Sequence, residues 1–228
     1  MGRKQKNKSK NSVELLAHNF PRMSVTEQYR LIRTNILYSA VDKEIKSIMI
    51  TSPEQGEGKS TTATNLAIVL AQQGKKVLLV DTDLRKPSLH LVFNISNQIG
   101  LTSALRKEVY LDEAITKTYI PHLDVLTSGP IPLNPSELLN SNSMKVLMKE
   151  MYTDYHFIVF DTPPALSVTD AQVLANQCDG VVLVISSRKT LKNAALEAKE
   201  LLEKAQAQLL GVVLNRIERK RGSRKYHV

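Results

Sequence analysis

The chain has 228 residues, 42% of them hydrophobic and 23% charged, with a single cysteine. This is the composition of a soluble globular protein, and it excludes collagen-like, coiled-coil and wholly disordered chains. Lys plus Arg number 31 against 22 Asp plus Glu, a net charge of +9, and the excess sits at the ends: residues 1–10 carry five basic and no acidic side chains, residues 216–228 six basic and one acidic.

The body between the two ends is close to neutral. Basic ends suit an anionic membrane surface, a nucleic acid or an acidic partner, or serve solubility alone. The longest apolar run, 66–71, is six residues, far short of the ~20 that a membrane-spanning helix needs. No apolar segment follows the Lys-rich start, so it does not read as a secretory signal. Lys6 stands where a myristoylation motif wants Ser or Thr. Cys178 alone supports neither an internal disulfide framework nor a cysteine zinc cluster, and a cytoplasmic location is the simplest expectation.

In chain order, residues 1–20 read as a basic tail, disordered over at least 1–12. A helix is expected over 24–39, opened by a capping box of Ser24 and Glu27 and striped by Leu31, Ile32, Ile36 and Leu37. Uninterrupted apolar runs follow at 47–51, 77–80, 123–126, 157–160, 181–185 and 209–214, the pattern of strands buried on both faces. Helical patterns lie between them at 59–73, 142–152, 169–176 and 190–205. Gly74 stands where a helix C-cap belongs. In the last helix Leu191, Ala194, Ala195, Ala198, Leu201, Leu202 and Ala205 share one face. This alternation predicts an α/β fold, a doubly wound and mostly parallel sheet covered by helices on both faces. It forms one domain over 21–216, followed by a flexible basic tail over 217–228.

The first buried run passes directly into Pro53-Glu-Gln-Gly56-Glu57-Gly58-Lys59-Ser60-Thr61 and then into a helix. Strand, loop and helix come in the order that a phosphate-binding P-loop requires. Gly56 and Gly58 let the backbone turn its N–H groups around phosphate oxygens. Lys59 reaches the β- and γ-phosphates, the Ser60 hydroxyl suits Mg²⁺, and the helix start adds its dipole. Pro53 replaces the first glycine of the usual pattern.

Two further runs end in carboxylates: 77–80 in Asp81-Thr-Asp83-Leu-Arg85, and 157–160 in Asp161-Thr-Pro-Pro. Ligands of open α/β sheets bind beyond the carboxyl ends of the strands. If these strands neighbour the first, Asp81, Asp83 and Asp161 converge on the phosphates, and carboxylates with Ser60 suit an octahedral Mg²⁺. Singly, each Asp would read as a helix cap.

The loop 52–61, the motif Leu78-Leu-Val-Asp81-Thr-Asp83-Leu-Arg85-Lys-Pro87 and the motif Ile158-Val-Phe-Asp161-Thr-Pro-Pro together resemble the bacterial tyrosine kinases. These are the CpsD/CapB-type autokinases of capsule and exopolysaccharide synthesis, built on the P-loop NTPase fold with the deviant Walker A motif of the positioning ATPases. The resemblance spans about 20–216. It implies ATP and Mg²⁺ as cofactors, with Gly56, Glu57, Gly58, Lys59, Ser60 and Thr61 around the phosphates. It also implies Ser60 and Asp83 on the metal, Asp161 beside it directly or through water, and Asp81 as acceptor of the tyrosine proton. Arg85 either stabilises charge on the transferring group or pairs with an acid. Asn215 and Arg216 match the region that contacts adenine.

Glu27-Gln-Tyr-Arg30-Leu-Ile-Arg33 matches the family's ring-forming interface motif; read without the resemblance, Glu27 and Arg30 make an ordinary i, i+3 helix pair. Glu54 occupies the place of the extra P-loop lysine of the dimeric positioning ATPases, which favours a kinase. The family's terminal tyrosine cluster is reduced here to Tyr226, the expected autophosphorylation site. No membrane span is fused to the kinase, so the resemblance implies a separate membrane adaptor that recruits it to the inner face of the cell membrane, with protein tyrosines as substrates. Two alternatives stand beside this reading: a positioning or partition ATPase without kinase activity, and a nucleic-acid-binding module acting through the tails. No nucleic-acid partner is expected, because the body has no basic stripe with interleaved aromatics.

Overall fold

In the computed structural model, which describes residues 13–39 and 44–217, the six apolar runs and one further short strand, Ile115–Lys117, assemble into one seven-stranded sheet. Its strands are β1 (Ser47–Thr51), β2 (Val77–Asp81), β3 (Ile115–Lys117), β4 (Leu123–Leu126), β5 (Phe157–Asp161), β6 (Gly180–Ser186) and β7 (Leu209–Asn215). Their order is β3-β4-β2-β5-β1-β6-β7. All neighbours are parallel except β3, which runs antiparallel to β4.

The helices are α1 (Leu16–Asn19), α2 (Ser24–Tyr38), α3 (Lys59–Ala71), α4 (Leu89–Phe93), α5 (Leu101–Leu105), α6 (Leu111–Ala114), α7 (Pro135–Leu139), α8 (Asn142–Asp154), α9 (Asp170–Ala175) and α10 (Lys192–Lys204). Two apolar clusters separate them by face. Ile48 and Ile50 of β1, Leu79 of β2 and Val159 of β5 pack with Ala17, Tyr29, Leu66 and Leu89 of α1 to α4. Met49, Leu78, Val80, Ile158 and Phe160 pack on the other side with Leu101, Leu139, Met144, Ala171 and Leu202 of the later helices. Successive side chains of a strand point to opposite faces, so every position of β1, β2 and β5 is buried. That double cover is why these strands read as unbroken apolar runs.

Several local expectations are corrected. Strand β7 is an edge strand with Val212 and Leu214 exposed, not one buried on both faces. Met23, not Ser24, occupies the N-cap of α2. Glu27 pairs with Arg30 one turn on, so the capping box does not form. On α10, Ala198 and Leu202 are buried, but Leu191 is the exposed N-cap residue. The expected tail over 1–20 overlaps folded structure: Ala17 of α1 is buried and its N–H donates to Asn65 Oδ1 of α3 at 2.8 Å. Gly74 turns the chain out of α3 with φ +75°, its N–H bonded to Ala71 O at 2.9 Å.

Candidate active site

Strand β1 is central, flanked by β5 and β6, and β5 is flanked in turn by β2. The carboxyl ends of β2, β5 and β1 therefore open side by side, and Asp81 and Asp161 are register partners. Thr82 locks this end, its N–H and hydroxyl both donating to Asp161 O at 2.9 and 2.8 Å.

The loop after β1 turns on two left-handed glycines, Gly56 at φ +79° and Gly58 at φ +100°, a conformation that disfavours any Cβ. Asn215, at the end of β7, donates from Nδ2 to Glu57 O at 3.0 Å and fills the space a Cβ on Gly58 would need. The Glu57 carboxylate faces inward. It is fully buried, accepts from Glu54 N at 2.9 Å and takes the Thr190 hydroxyl. It braces the loop from within. Arg216 follows in a left-handed turn, its N–H on Asn215 Oδ1 at 2.8 Å. Thr61 O accepts from Asn65 Nδ2 at 2.8 Å, tying the first turn of α3.

Lys59 is gathered in. Its Nζ lies 3.1 Å from Asp83 Oδ2, 3.8 Å from Asp161 Oδ1 and 3.3 Å from Ser60 Oγ. Burial pulls its pKa down, but Asp161, Asp83 and Asp81 outweigh that and hold it above the ordinary lysine value. Asp161 is fully buried, and neither of its oxygens completes a hydrogen bond. Burial raises its pKa, with the Lys59 charge and the neighbouring Ser60 hydroxyl opposing. Asp81 is buried too: Oδ2 accepts from Ser88 N and Leu89 N, both at 2.9 Å, and Oδ1 from Asp83 N at 3.3 Å. Burial first, and the Asp161 charge second, push its pKa up to about 7, against the pull of the two N–H donors.

The sequence-predicted set is thus brought together at Gly56, Gly58, Lys59, Ser60, Asp81, Asp83 and Asp161. Arg85 takes the acid-pairing option, holding Asp170 with two hydrogen bonds. Arg33 folds back onto α3, Nη1 donating to Val69 O at 2.7 Å, while Glu27 and Arg30 pair on the surface. Tyr226 lies outside the described residues. Sequence reasoning missed Asp170, Ser136, Thr190 and the inward carboxylate of Glu57, all of which reach the site through contacts distant along the chain.

Among the described residues no group of three or more His, Cys, Asp or Glu side chains is arranged to hold a metal ion. Mg²⁺ does not need one: it is commonly held by one or two carboxylates together with phosphate oxygens and water. The orphaned carboxylate of Asp161, beside Asp83 and Ser60, fits that demand.

Known proteins resemble this chain over most of its length. The family model described as AAA domain matches residues 45–209. Tyrosine-protein kinase YwqD of Bacillus subtilis is 55% identical over 88% of this chain and 85% of its own length. The putative tyrosine-protein kinase CapB of Staphylococcus aureus is 40% identical over 96% of this chain and 97% of its own. Among solved structures, the kinase domain of the Escherichia coli tyrosine kinase ETK superposes with a TM-score of 0.87 at 32% identity, covering 100% of this chain and 88% of that one. The septum site-determining protein MinD of Pyrococcus horikoshii, complexed with Mg-ADP, gives a TM-score of 0.66 at 28% identity over 77% of this chain and 72% of that one. The chain therefore belongs to the AAA-domain family of P-loop proteins and, within it, to the bacterial tyrosine-protein kinases.

Proposed function

We propose that the protein is an ATP- and Mg²⁺-dependent protein-tyrosine kinase that phosphorylates its own tail in trans. It would do so within a ring of identical subunits and regulate capsular or extracellular polysaccharide production with a membrane adaptor. The observation that carries this reading is Lys59, held between Asp83 and Asp161 at the mouth of a two-glycine loop.

Lys59 holds the β- and γ-phosphates, exchanging part of its contact with Asp83 for phosphate oxygens. Gly56, Glu57, Gly58 and Thr61 line the phosphate cradle with their backbone, and Asn215 and Arg216 border the base. Ser60, Asp83 and Asp161 hold Mg²⁺, which when bound neutralises charge on the transferring phosphoryl group. Asp81 would receive the tyrosine proton, and its burial, which raises its pKa, works in the direction of a stronger base. Asp81 is fully buried and accepts from the N–H groups of residues 83, 88 and 89, so a tyrosine would reach it only if that loop moves. Arg85 steadies the same loop through Asp170.

Glu27, Arg30 and Arg33 would form the ring contact, with Arg33 released from Val69 on assembly. No helix among the described residues is long and apolar enough to cross a membrane. In this reading the adaptor would recruit the protein to the inner face of the membrane, with the basic ends of the sequence assisting. A switch-type ATPase is the second reading, favoured by the MinD likeness; Glu54 and the Asp81-to-Arg85 motif speak against it.

The test is intact mass after incubation with Mg-ATP, with and without the cytosolic segment of the adaptor. A gain of phosphate that disappears in Asp81→Ala supports the kinase, and its loss in Tyr226→Phe identifies the acceptor. Steady ATP hydrolysis without phosphotyrosine in either condition would favour the switch.

A further inference from the structure

The phosphate site is short of positive charge. Asp81, Asp83 and Asp161 crowd its floor, Lys59 is already shared between two of them, and the loop itself carries Glu54 and Glu57. A nucleoside triphosphate brings about four negative charges at neutral pH and Mg²⁺ returns only two, so a further cation where the loop bends would add to what Lys59 and the backbone N–H groups supply.

Lys189 stands there. It belongs to the turn between β6 and α10, and its ammonium donates to Gln55 O. The same nitrogen is 3.6 Å from the position a Cβ on Gly56 would take, so it lies against the left-handed bend of the loop. Among the described residues its hydrogen-bond partner is this neutral carbonyl, not a carboxylate. A carbonyl is a weaker partner for an ammonium than a charged oxygen.

The turn is built to aim this side chain. Ser186 O accepts from both Lys189 N and Thr190 N, at 3.1 and 3.0 Å. The Thr190 hydroxyl accepts from Ser186 N at 2.7 Å and donates to Glu57, and Ser187 N donates to Asn215 O at 3.0 Å. The backbone around Lys189 is thus fastened to the phosphate loop through Glu57 and Asn215, while the lysine stem remains exposed. From the opposite side Lys86 Nζ reaches Gln55 Oε1 at 3.4 Å.

We infer that Lys189 is a further phosphate-binding residue of the nucleotide site. It contacts the Gln55 carbonyl at the bend of the loop and would exchange that contact for a phosphate oxygen of a nucleoside di- or triphosphate. It would supply within one chain the positive charge that Glu54 denies the loop. The inference depends on the nucleotide-binding reading above.

The experiment is calorimetric titration of the full chain with Mg-ADP, together with the melting temperature of the nucleotide-free protein, for wild type, Lys189→Met, Lys189→Arg and Lys59→Met. The expected result is a loss of about tenfold or more in Mg-ADP affinity for Lys189→Met, the scale of one charge-assisted hydrogen bond. Lys189→Arg restores most of it, and the melting temperature of the nucleotide-free protein is unchanged. Wild-type affinity in Lys189→Met would overturn the inference. So would an equal loss in both Lys189 variants with a lowered melting temperature, which would make Lys189 a brace of the loop. If the wild type fails to bind Mg-ADP, the nucleotide reading itself falls. If wild type binds and Lys59→Met does not, any failure at Lys189 belongs to this inference alone.

Discussion

Arg85 and Asp170 meet edge to edge, Nε to Oδ2 at 2.9 Å and Nη2 to Oδ1 at 3.1 Å. The carboxylate is fully buried and the guanidinium is 42% exposed. Asp170 also takes the hydroxyl of Ser136. One buried acid therefore pins three segments: the loop after β2 that carries Asp83, the start of α7 and the start of α9. The Asp83 carboxylate beside Lys59 owes its position in part to this clamp.

The asymmetry of burial sets the energetics. Arg85→Ala strands a buried carboxylate, and removing one partner of a buried pair costs about 3–5 kcal/mol. Because the arginine is partly in water, about 2–3 kcal/mol is expected here. Asp170→Asn keeps an acceptor for Ser136 and leaves a cation that can turn to solvent, so about 1 kcal/mol is expected. Urea denaturation compares the two. Equal losses would mean that Asp170 is not held as an unpaired charge when Arg85 is gone.

Gly58 is the glycine the loop can least spare. At φ +100° any side chain is strained, and its Cβ would meet Asn215 Nδ2. Gly58→Ala is expected to destabilise by about 1–2 kcal/mol from backbone strain alone and to break the Asn215–Glu57 bond. Adding Asn215→Ala should relieve the collision and leave the backbone share. Melting temperatures of the single and double variants separate the two contributions.

How much of this was legible in the sequence follows from where each residue finds its partners. Strands β1, β2 and β5 were readable because helices cover both faces, and the carboxylates Asp81, Asp83 and Asp161 followed from the ends of those runs. Strand β3 has three residues, and α4 to α7 have four or five each, too few for a period to show. Strand β7 carries the same apolar letters as a central strand, yet it lies at the sheet edge. Glu57 and Asp170 were opaque for another reason. Their partners Thr190 and Arg85 lie 133 and 85 residues away, and nothing local to either acid announces the pairing.

Asp81 makes stability depend on pH in a definite direction. Its folded pKa, about 7, lies above the ordinary 3.8. Its contribution to stability is therefore complete below about 3.8 and is lost as pH rises toward and through 7. Between pH 5 and 8 the nucleotide-free protein should lose stability, and Asp81→Asn, which keeps an acceptor for Ser88 and Leu89, should lose less. Parallel melting curves for the two proteins across that range would mean that Asp81 ionises at its ordinary pH in the folded state.

Asp161 sets stability against function. Its carboxylate is buried without a hydrogen bond, close enough to the acids at 81 and 83 to feel their charge, and Lys59 at 3.8 Å offsets it only in part. Asp161→Asn removes the buried charge and leaves Lys59 its closer partner, Asp83. The nucleotide-free variant is expected to gain about 1 kcal/mol, or about 2–4 °C in melting temperature for a domain of this size, while the stabilisation that Mg-ADP gives the wild type disappears. Both changes follow from one cause, a carboxylate kept where only a cation can satisfy it. If the variant melts lower than wild type, Asp161 instead serves as a structural partner of Lys59, and the metal role passes to Asp83 and Ser60.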